Sequence, residues 1–424
     1  MKVKEQTRCI VPDRLVGLLI FVCCGAYFSS YLGRLSYSAC LVDLIESTGE
    51  SAKAAGLVSS MLFVGYATGQ LINSFAVRYV NSRYMVFTGL ILSSIMNVIM
   101  PFCGSVGVMK WVWILNGLFQ SMLWSNVVNI YTRMLPDKAI PRAVMIIHAM
   151  MGLGTLLIYG IAALCMEFFT WKIVFFCAAA IMTAAAFMWL IWIGRFEKLG
   201  EQTQPEQKSV TPEETPAAKP IGFFALFFTA GIAVATVCAL MNGGLRDGMN
   251  TWAPTFITST YGTTPAFSTL VTLGLPLMSI FGSILSRVIN KYIKSGYMVA
   301  ALMFGASLVL LVLMFTLPQL GMLFACLIMA LVSGMMTGIT SMIVSIVPMK
   351  LRRYGFTAVF SGMLDFFCYI GSAIFSYGMG AISEKLGWNS VMTVLAILAG
   401  VATLAAVLGG LVWKRFAARN GLAL

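Results

Sequence analysis

Charged residues are scarce in this sequence. Only 10% of its 424 residues are charged, whereas 59% are hydrophobic. A soluble protein of this length carries roughly 25% charged residues. Because the polar side chains are too few to cover a water-soluble globule, lipid must be the solvent for much of the surface. The composition therefore predicts a membrane protein.

Catalytic and metal-binding motifs are also lacking. The chain has one histidine, and it has no glycine-rich nucleotide loop, no serine–histidine–acid set and no cluster with metal-ligand spacing. Its ten cysteines fall mostly inside apolar runs without paired spacing, which is typical of small buried residues. We therefore expect the chain to be no enzyme and to need neither a cofactor nor a metal.

Twelve apolar stretches are long enough to cross a membrane as helices. They form two groups of six around a segment rich in Glu, Gln, Pro, Thr and Lys, whose composition cannot bury a core. The sequence thus predicts an N-terminal six-helix bundle (1–193), a flexible cytoplasmic linker (194–221) and a C-terminal six-helix bundle (222–424). Spans 1 to 12 are predicted at about 15–42, 54–78, 84–104, 108–133, 142–168, 171–193, 222–257, 264–291, 295–317, 319–348, 354–382 and 387–413.

The basic residues lie mainly on one side of these spans. That side holds both termini, the linker and the loops Arg78–Arg83 and Arg287–Lys294, which follow the second span of each half. The positive-inside rule therefore predicts that both termini and the linker are cytoplasmic. We expect the membrane to be a plasma membrane, the inner membrane of a bacterium. The positive charge behind the net value of +13 is concentrated on this side, as expected of a membrane protein, so it does not predict nucleic-acid binding. The opposite side holds only Lys53, Lys110, Lys172 and Lys385.

Two arginines lie deep inside the predicted spans. At 1.5 Å per residue, Arg34 on span 1 and Arg246 on span 7 are about 13 and 17 Å from the outer ends, roughly midway through a core of about 30 Å. A charge there is costly, but a guanidinium can bind a phosphate or carboxylate through two parallel hydrogen bonds. The arginines therefore indicate an anion-binding site. The alternative is that Asp247 or Asp365 satisfies them as an internal ion pair.

Polar residues at helical spacing form a stripe on each of five spans. Hydrogen bonds between helices would explain any one stripe, whereas five together favour a shared aqueous lining. On span 7, the pair Gly243-Gly244 favours a local break in the helix. The stripes are Tyr27, Tyr31, Arg34 and Ser38; Ser59, Tyr66, Gln70 and Asn73; His148, Gly152, Thr155 and Tyr159; Asn242, Arg246 and Asn250; and Ser361, Asp365, Tyr369, Ser372 and Ser376.

Five motifs resemble those of the organophosphate:phosphate antiporters of the major facilitator superfamily. The most specific is Arg246 followed by Trp252-Ala253-Pro254-Thr255, which is similar to the family's helix 7 arginine and Trp-Ser-Pro-Thr. By contrast, Leu35 and Gln70 stand where the family often has lysine, which predicts a less positive cavity. The other four motifs are Tyr27-x-x-x-Tyr31-x-x-Arg34, the segment from Gly117 to Trp124, His148, and Cys368-Tyr369-Ile370-Gly371.

The resemblance implies an all-α, 12-helix major facilitator fold of two six-helix bundles related by pseudo-two-fold symmetry. It implies exchange of a phosphate ester for inorganic phosphate by alternating access, with Arg34 and Arg246 gripping the phosphoryl group. We expect the protein to function as a monomer, with Asp247 and Asp365 in internal ion pairing or coupling. The remaining predicted substrate-binding residues are His148, Tyr27, Tyr31, Tyr66, Gln70, Gln120, Trp124, Asn250 and Tyr369.

Two alternatives stay open from the sequence. His148 can change charge between pH 5 and 8, and Asp365 is a second candidate titrating group, so a proton-coupled symporter of a small carboxylate or other organic anion fits the same residues. The family also includes transporter-like sensors of sugar phosphate, which would bind such a ligand with little flux.

Overall fold

The computed structural model describes residues 10–76, 80–136, 138–203, 222–351, 354 and 356–420. Within these ranges the chain is helical and contains no strand. The helices are α1 (Asp13–Ala39), α2 (Leu41–Thr48), α3 (Ala52–Ala76), α4 (Ser82–Ile99), α5 (Val106–Gln120), α6 (Trp124–Met134), α7 (Ile140–Phe168), α8 (Trp171–Thr203), α9 (Phe223–Thr229), α10 (Ile232–Tyr261), α11 (Pro265–Val271), α12 (Gly274–Ile293), α13 (Gly296–Thr316), α14 (Gly321–Thr340), α15 (Val347–Met349) and α16 (Thr357–Asn420).

The helices confirm the predicted twelve spans. Nine helical segments of the described chain are long and apolar enough to cross a membrane, and the bent pair α9–α10 makes a tenth. The long helix α16 is two spans joined by a kink at Gly387, where φ is 75°. Helices α5 and α6 together form the remaining span, which is interrupted between Gln120 and Trp124.

Large apolar side chains lie on the outside of the helices and polar side chains lie inside, as expected of a protein surrounded by lipid. Large apolar residues are exposed on the outer helix faces, for example Phe21 (64%), Leu323 (73%) and Leu404 (73%). In water such a surface would drive aggregation, but in hydrocarbon it carries no penalty. The interior instead holds amides such as Asn97 and Asn116, both fully buried, and such groups hydrogen-bond between helices.

The helix at span 7 bends at a different place from the predicted one. Helix α10 runs unbroken through Gly243 and Gly244, so the predicted break there is wrong. The bend of 68° lies between α9 and α10, where Gly231 has a φ of 80°. The glycines serve close packing instead: a Cβ on Gly243 would overlap the carbonyl of Cys368 on α16. Helix α16 thus packs against the backbone at these two glycines, and this packing keeps α10 helical there.

The chain divides into two compact units. One comprises Met1–Cys40 and Val64–Glu213, and the other comprises Leu41–Phe63 and Glu214–Leu424. Helix α3 contributes to both, and its Ser60 donates a hydrogen bond of 2.6 Å to the carbonyl of Ala373 within the second unit. Helix α8 extends to Thr203, into the predicted linker. Residues 204–221 lie outside the described part, so the linker and the bundle limits stay predictions.

We expect Gly371→Ala to lower the melting temperature of the detergent-solubilised protein by several degrees. The added methyl would overlap the carbonyl of Leu240 on α10, and overpacking of this kind costs about 1–3 kcal/mol. Gly378→Ala on the same helix is the matched control, because its Cβ would meet no heavy atom within 4 Å. Equal melting temperatures for the two variants would contradict the close α10–α16 packing.

Candidate functional site

Arg34 is buried in the first unit against aromatic rings. The residue is 6% exposed. Its Cζ lies 3.8 Å from the ring centroid of Tyr66 on α3 and 5.6 Å from that of Tyr31 on its own helix. Both distances are within the range of a cation–π interaction, which is stronger when the partners are desolvated. Three of the predicted site residues therefore lie together.

Further predicted residues extend this cluster. The ring of Tyr27 lies 5.6 Å from that of Tyr31 and 5.3 Å from that of Trp124, measured between centroids. The hydroxyl of Tyr66 accepts a hydrogen bond of 3.1 Å from Nε2 of Gln70. Trp124 is the first residue of α6, so the interruption in span 4 sets where its ring lies.

Gln120 makes a different kind of contact. It is 3% exposed, and its Nε2 donates to the carbonyl of Ser30 at 3.1 Å and to Oγ of Ser93 at 2.8 Å. Its amide nitrogen therefore binds two neighbouring helices. The role predicted for Gln120 in substrate binding stays untested.

Arg246 forms a two-point ion pair with its chain neighbour. Its Nε donates to Oδ1 of Asp247, and its Nη2 donates to Oδ2, both at 2.8 Å. Both side chains are 16% exposed. The third nitrogen, Nη1, donates to Oγ1 of Thr340 at 3.2 Å. Each guanidinium nitrogen of Arg246 thus has an acceptor within the second unit.

Two helices besides α10 hold this pair. From α16, Ser372 donates its hydroxyl to Oδ2 of Asp247 at 2.6 Å. From α14, Thr340 also accepts from Nδ2 of Asn242 at 2.7 Å, one helical turn before Arg246. Thr340 directly precedes a π-helical turn, Ser341–Ile346, and such turns are frequent at functional sites. The pair on α10 is therefore positioned by hydrogen bonds from two other helices, α14 and α16.

Of the other predicted residues of the second unit, Tyr369 lies beside Arg246, whereas Asn250 contacts a different helix. Tyr369 is 9% exposed, and its ring centroid lies 5.8 Å from Cζ of Arg246. Oδ1 of Asn250 accepts from Ser333 at 2.9 Å. Asp365 is half-buried on α16, one turn before Tyr369. The structure therefore places Arg246, Asp247 and Tyr369 together. The side chain of His148, in the first unit, lies outside the described part.

Hydrogen bonds between helices account for part of the polar stripes. Asn73 donates to Oγ of Ser121 at 2.7 Å, and Ser361 donates to the carbonyl of Val344 at 2.7 Å. These stripe residues serve packing. Thr340 was not predicted as a site residue, because a threonine within a span ordinarily bonds its own helix, as Thr340 does to the carbonyl of Met336 at 3.1 Å.

Breaking the ion pair at one end should destabilise the protein more than removing it entirely. Removing one partner of a buried pair costs about 3–5 kcal/mol, whereas replacing both with apolar residues is often neutral. We therefore expect Arg246→Met and Asp247→Leu each to lower the melting temperature in detergent, and the double variant to lie above both. A double variant as unstable as the sum of the single changes would show that the pair is not coupled.

Solved structures of membrane transporters share this fold. A bacterial homolog of the human lysosomal transporter Spinster, inward-facing and occupied, matches with a TM-score of 0.77 and 13% identity over 96% of this chain and 99% of that chain. A peptide transporter POT in complex with sulfate matches with a TM-score of 0.71 and 15% identity over 94% of each chain. At these identities the likeness concerns the fold.

A family profile and sequence relatives together identify the family. A glycerol-3-phosphate transporter of Bacillus subtilis is 26% identical over 403 residues, 89% of each chain. A probable hexose phosphate transport protein of Chlamydia muridarum is 21% identical over 401 residues, 89% of this chain and 87% of its own. Both are members of the organophosphate:phosphate antiporter family, so the predicted resemblance and the prediction of a transporter rather than an enzyme are confirmed. A profile of the Major Facilitator Superfamily matches residues 23–366, and the chain is a multi-pass membrane transporter that belongs to this superfamily.

Proposed function

We propose that this chain exchanges a phosphate ester for inorganic phosphate by alternating access, and that Arg34 and Arg246 bind the phosphoryl group. The observation that carries the proposal is one guanidinium in each unit: Arg34 is buried over aromatic rings, and Arg246 is partly buried against a carboxylate. The relatives are described as transporters of glycerol-3-phosphate and hexose phosphate. A phosphoryl group is the feature that these two solutes share, and it also suits the two-point donor geometry of arginine.

The environment of Arg34 is compatible with anion binding. Its Cζ lies over the ring of Tyr66, and a cation over a ring keeps N–H groups at the edge of its guanidinium with which it can bind a phosphate. Both interactions can therefore exist at once. The tyrosine would hold the cation in place while the substrate oxygens approach in the guanidinium plane.

Asp247 is the resident anion of Arg246 in this proposal. Its two oxygens accept from Nε and Nη2, which is the edge that a phosphate would use in a bidentate contact. A phosphate with charge between −1 and −2 would compete with the carboxylate for this edge, and the carboxylate would return when the solute leaves. Arg246 would thus be compensated both with and without substrate.

The distribution of basic residues indicates how the protein is oriented in its membrane. The loops Arg78–Arg83 and Arg287–Lys294 share one side with both termini in the predicted topology. By the positive-inside rule that side is cytoplasmic. We infer that the protein lies in the bacterial inner membrane with both termini inside.

Arg34→Lys and Arg246→Lys should each reduce exchange at least tenfold, because a lysine is a point charge without the two-point fork. The measurement is counterflow of radiolabelled phosphate in proteoliposomes loaded in turn with phosphate, phosphate esters or carboxylates. Arg195→Lys is the matched control: that arginine also lies over an aromatic ring, 5.0 Å from the centroid of Trp192, but it is exposed.

Each alternative predicts a different result in the same vesicles. Full exchange by both lysine variants would exclude the arginine clamp. Uptake driven by a pH gradient into phosphate-free vesicles would favour the symporter of a carboxylate or other anion. Saturable binding of sugar phosphate without counterflow would favour a sensor.

Asp247→Asn should lower the KM for phosphate about tenfold and also lower Vmax. The neutral amide competes less well than the carboxylate for Arg246, so the substrate binds more tightly and leaves more slowly. Asp13→Asn, at the exposed start of α1, controls for the loss of a negative charge. An unchanged or higher KM for phosphate in the Asp247 variant would contradict the competition.

A further inference from the structure

Two pairs of polar residues lie against the turn of α1 that precedes Arg34. Ser93 and Asn97 are one turn apart on α4, and Asn116 and Gln120 are one turn apart on α5, so each pair occupies one helix face. All four residues are buried, with exposed fractions of 0%, 0%, 0% and 3%. Amides in an apolar interior are costly unless they are hydrogen-bonded, so their partners indicate what they do.

The three amides all donate to the backbone of α1. The carbonyl of Gly33 accepts from Nδ2 of Asn97 at 3.1 Å and from Nδ2 of Asn116 at 3.0 Å. The carbonyl of Ser30, one turn earlier, accepts from Nε2 of Gln120 at 3.1 Å. Three side-chain donors therefore bind the turn of α1 that immediately precedes Arg34.

Further hydrogen bonds fix the orientation of these amides. Oδ1 of Asn97 accepts from the hydroxyl of Ser36 on α1 at 2.8 Å, and Oδ1 of Asn116 accepts from the hydroxyl of Ser93. Nε2 of Gln120 also donates to Oγ of Ser93 at 2.8 Å. Asn97 and Asn116 thus use both the oxygen and the nitrogen of their amides, and Gln120 bridges two helices through its nitrogen. These bonds leave the three amides little freedom to rotate.

The absence of a side chain at position 33 allows this approach. A Cβ on Gly33 would overlap the sulfur of Met182 and would lie 3.0 Å from Nδ2 of Asn97. Successive residues of a helix point about 100° apart, so a rotation of α1 by one residue would break the bonds to Ser30 and Gly33 and would move Arg34 off the ring of Tyr66.

We propose that Asn97, Asn116 and Gln120 are positioning residues for Arg34: by binding the carbonyls of Ser30 and Gly33 they fix the rotation of α1 and hold the guanidinium over Tyr66. The effect on phosphate binding rests on the function proposed above. The position of the guanidinium itself does not depend on that function, so the two parts can be tested separately.

The test compares Asn97→Leu, Asn116→Leu and the double variant with the full-length wild-type protein. Leucine has nearly the shape of asparagine but no polar atoms. Asn126→Leu is the matched control, because Asn126 is also fully buried in the first unit but donates to the carbonyl of Met122 in the chain before its own helix. The readouts are the melting temperature without ligand, KM and Vmax for radiolabelled phosphate counterflow, and the rate at which phenylglyoxal modifies Arg34, measured by peptide mass.

Each single variant should raise KM about three- to tenfold and leave Vmax within about twofold, on the scale of one hydrogen bond. Because either amide can still hold Gly33 when the other is lost, the double variant should exceed the product of the single effects. Arg34 should be modified severalfold faster in all three, while Asn126→Leu behaves as wild type.

A purely structural role gives a different pattern. If the melting temperature falls but KM and the modification rate of Arg34 match those of the control, the proposal is overturned; the single variants decide this even if the double variant does not fold. If the wild-type protein shows no phosphate counterflow, the proposed function fails. The modification rate of Arg34 then still confirms or overturns the positioning role.

Discussion

A guanidinium buried among apolar helices must be compensated where it lies, and much of this structure follows from that constraint. Moving a cation from water into hydrocarbon costs several kcal/mol or more, and a side chain at mid-span cannot easily reach the interface. The helices around Arg34 and Arg246 supply the compensation through ring faces, a carboxylate and a hydroxyl. An anionic solute can bind the same two guanidinium groups, because its oxygens accept hydrogen bonds as a carboxylate does.

The two units compensate their arginines in different ways. Arg34 has its Cζ over the rings of Tyr66 and Tyr31. Arg246 instead has its edge bound to Asp247. Since a carboxylate and a phosphate make the same two-point contact, the second arrangement implies competition between an internal and an external anion. In the first arrangement the ring of Tyr66 on α3 helps to set the position of the cation.

Close helix packing makes both arrangements possible. Gly243 on α10 and Gly371 on α16 each lie against a carbonyl of the opposite helix, which brings Ser372 within reach of Asp247. Gly33 similarly brings the backbone of α1 within reach of the amides on α4 and α5. In a membrane, where apolar side chains gain little by leaving lipid, small residues and interhelical hydrogen bonds hold helices together. The same contacts that stabilise the fold therefore position the charged groups.

The sequence by itself determined the twelve spans, the two deep arginines and the family, because span length, residue charge and local motifs are properties of the linear chain. It also placed Tyr31, Tyr66 and Arg34 on stripes that do meet. Only the tertiary structure decided that Asp247 binds Arg246, that Thr340 joins them, that Gln120 binds α1 and that Gly243 packs rather than breaks its helix. Helical periodicity says which residues share a face, but consecutive residues such as Arg246 and Asp247 do not ordinarily face each other. The partner of a buried polar group is set by whichever neighbouring helix packs closely enough to reach it, and the linear chain does not contain that distance.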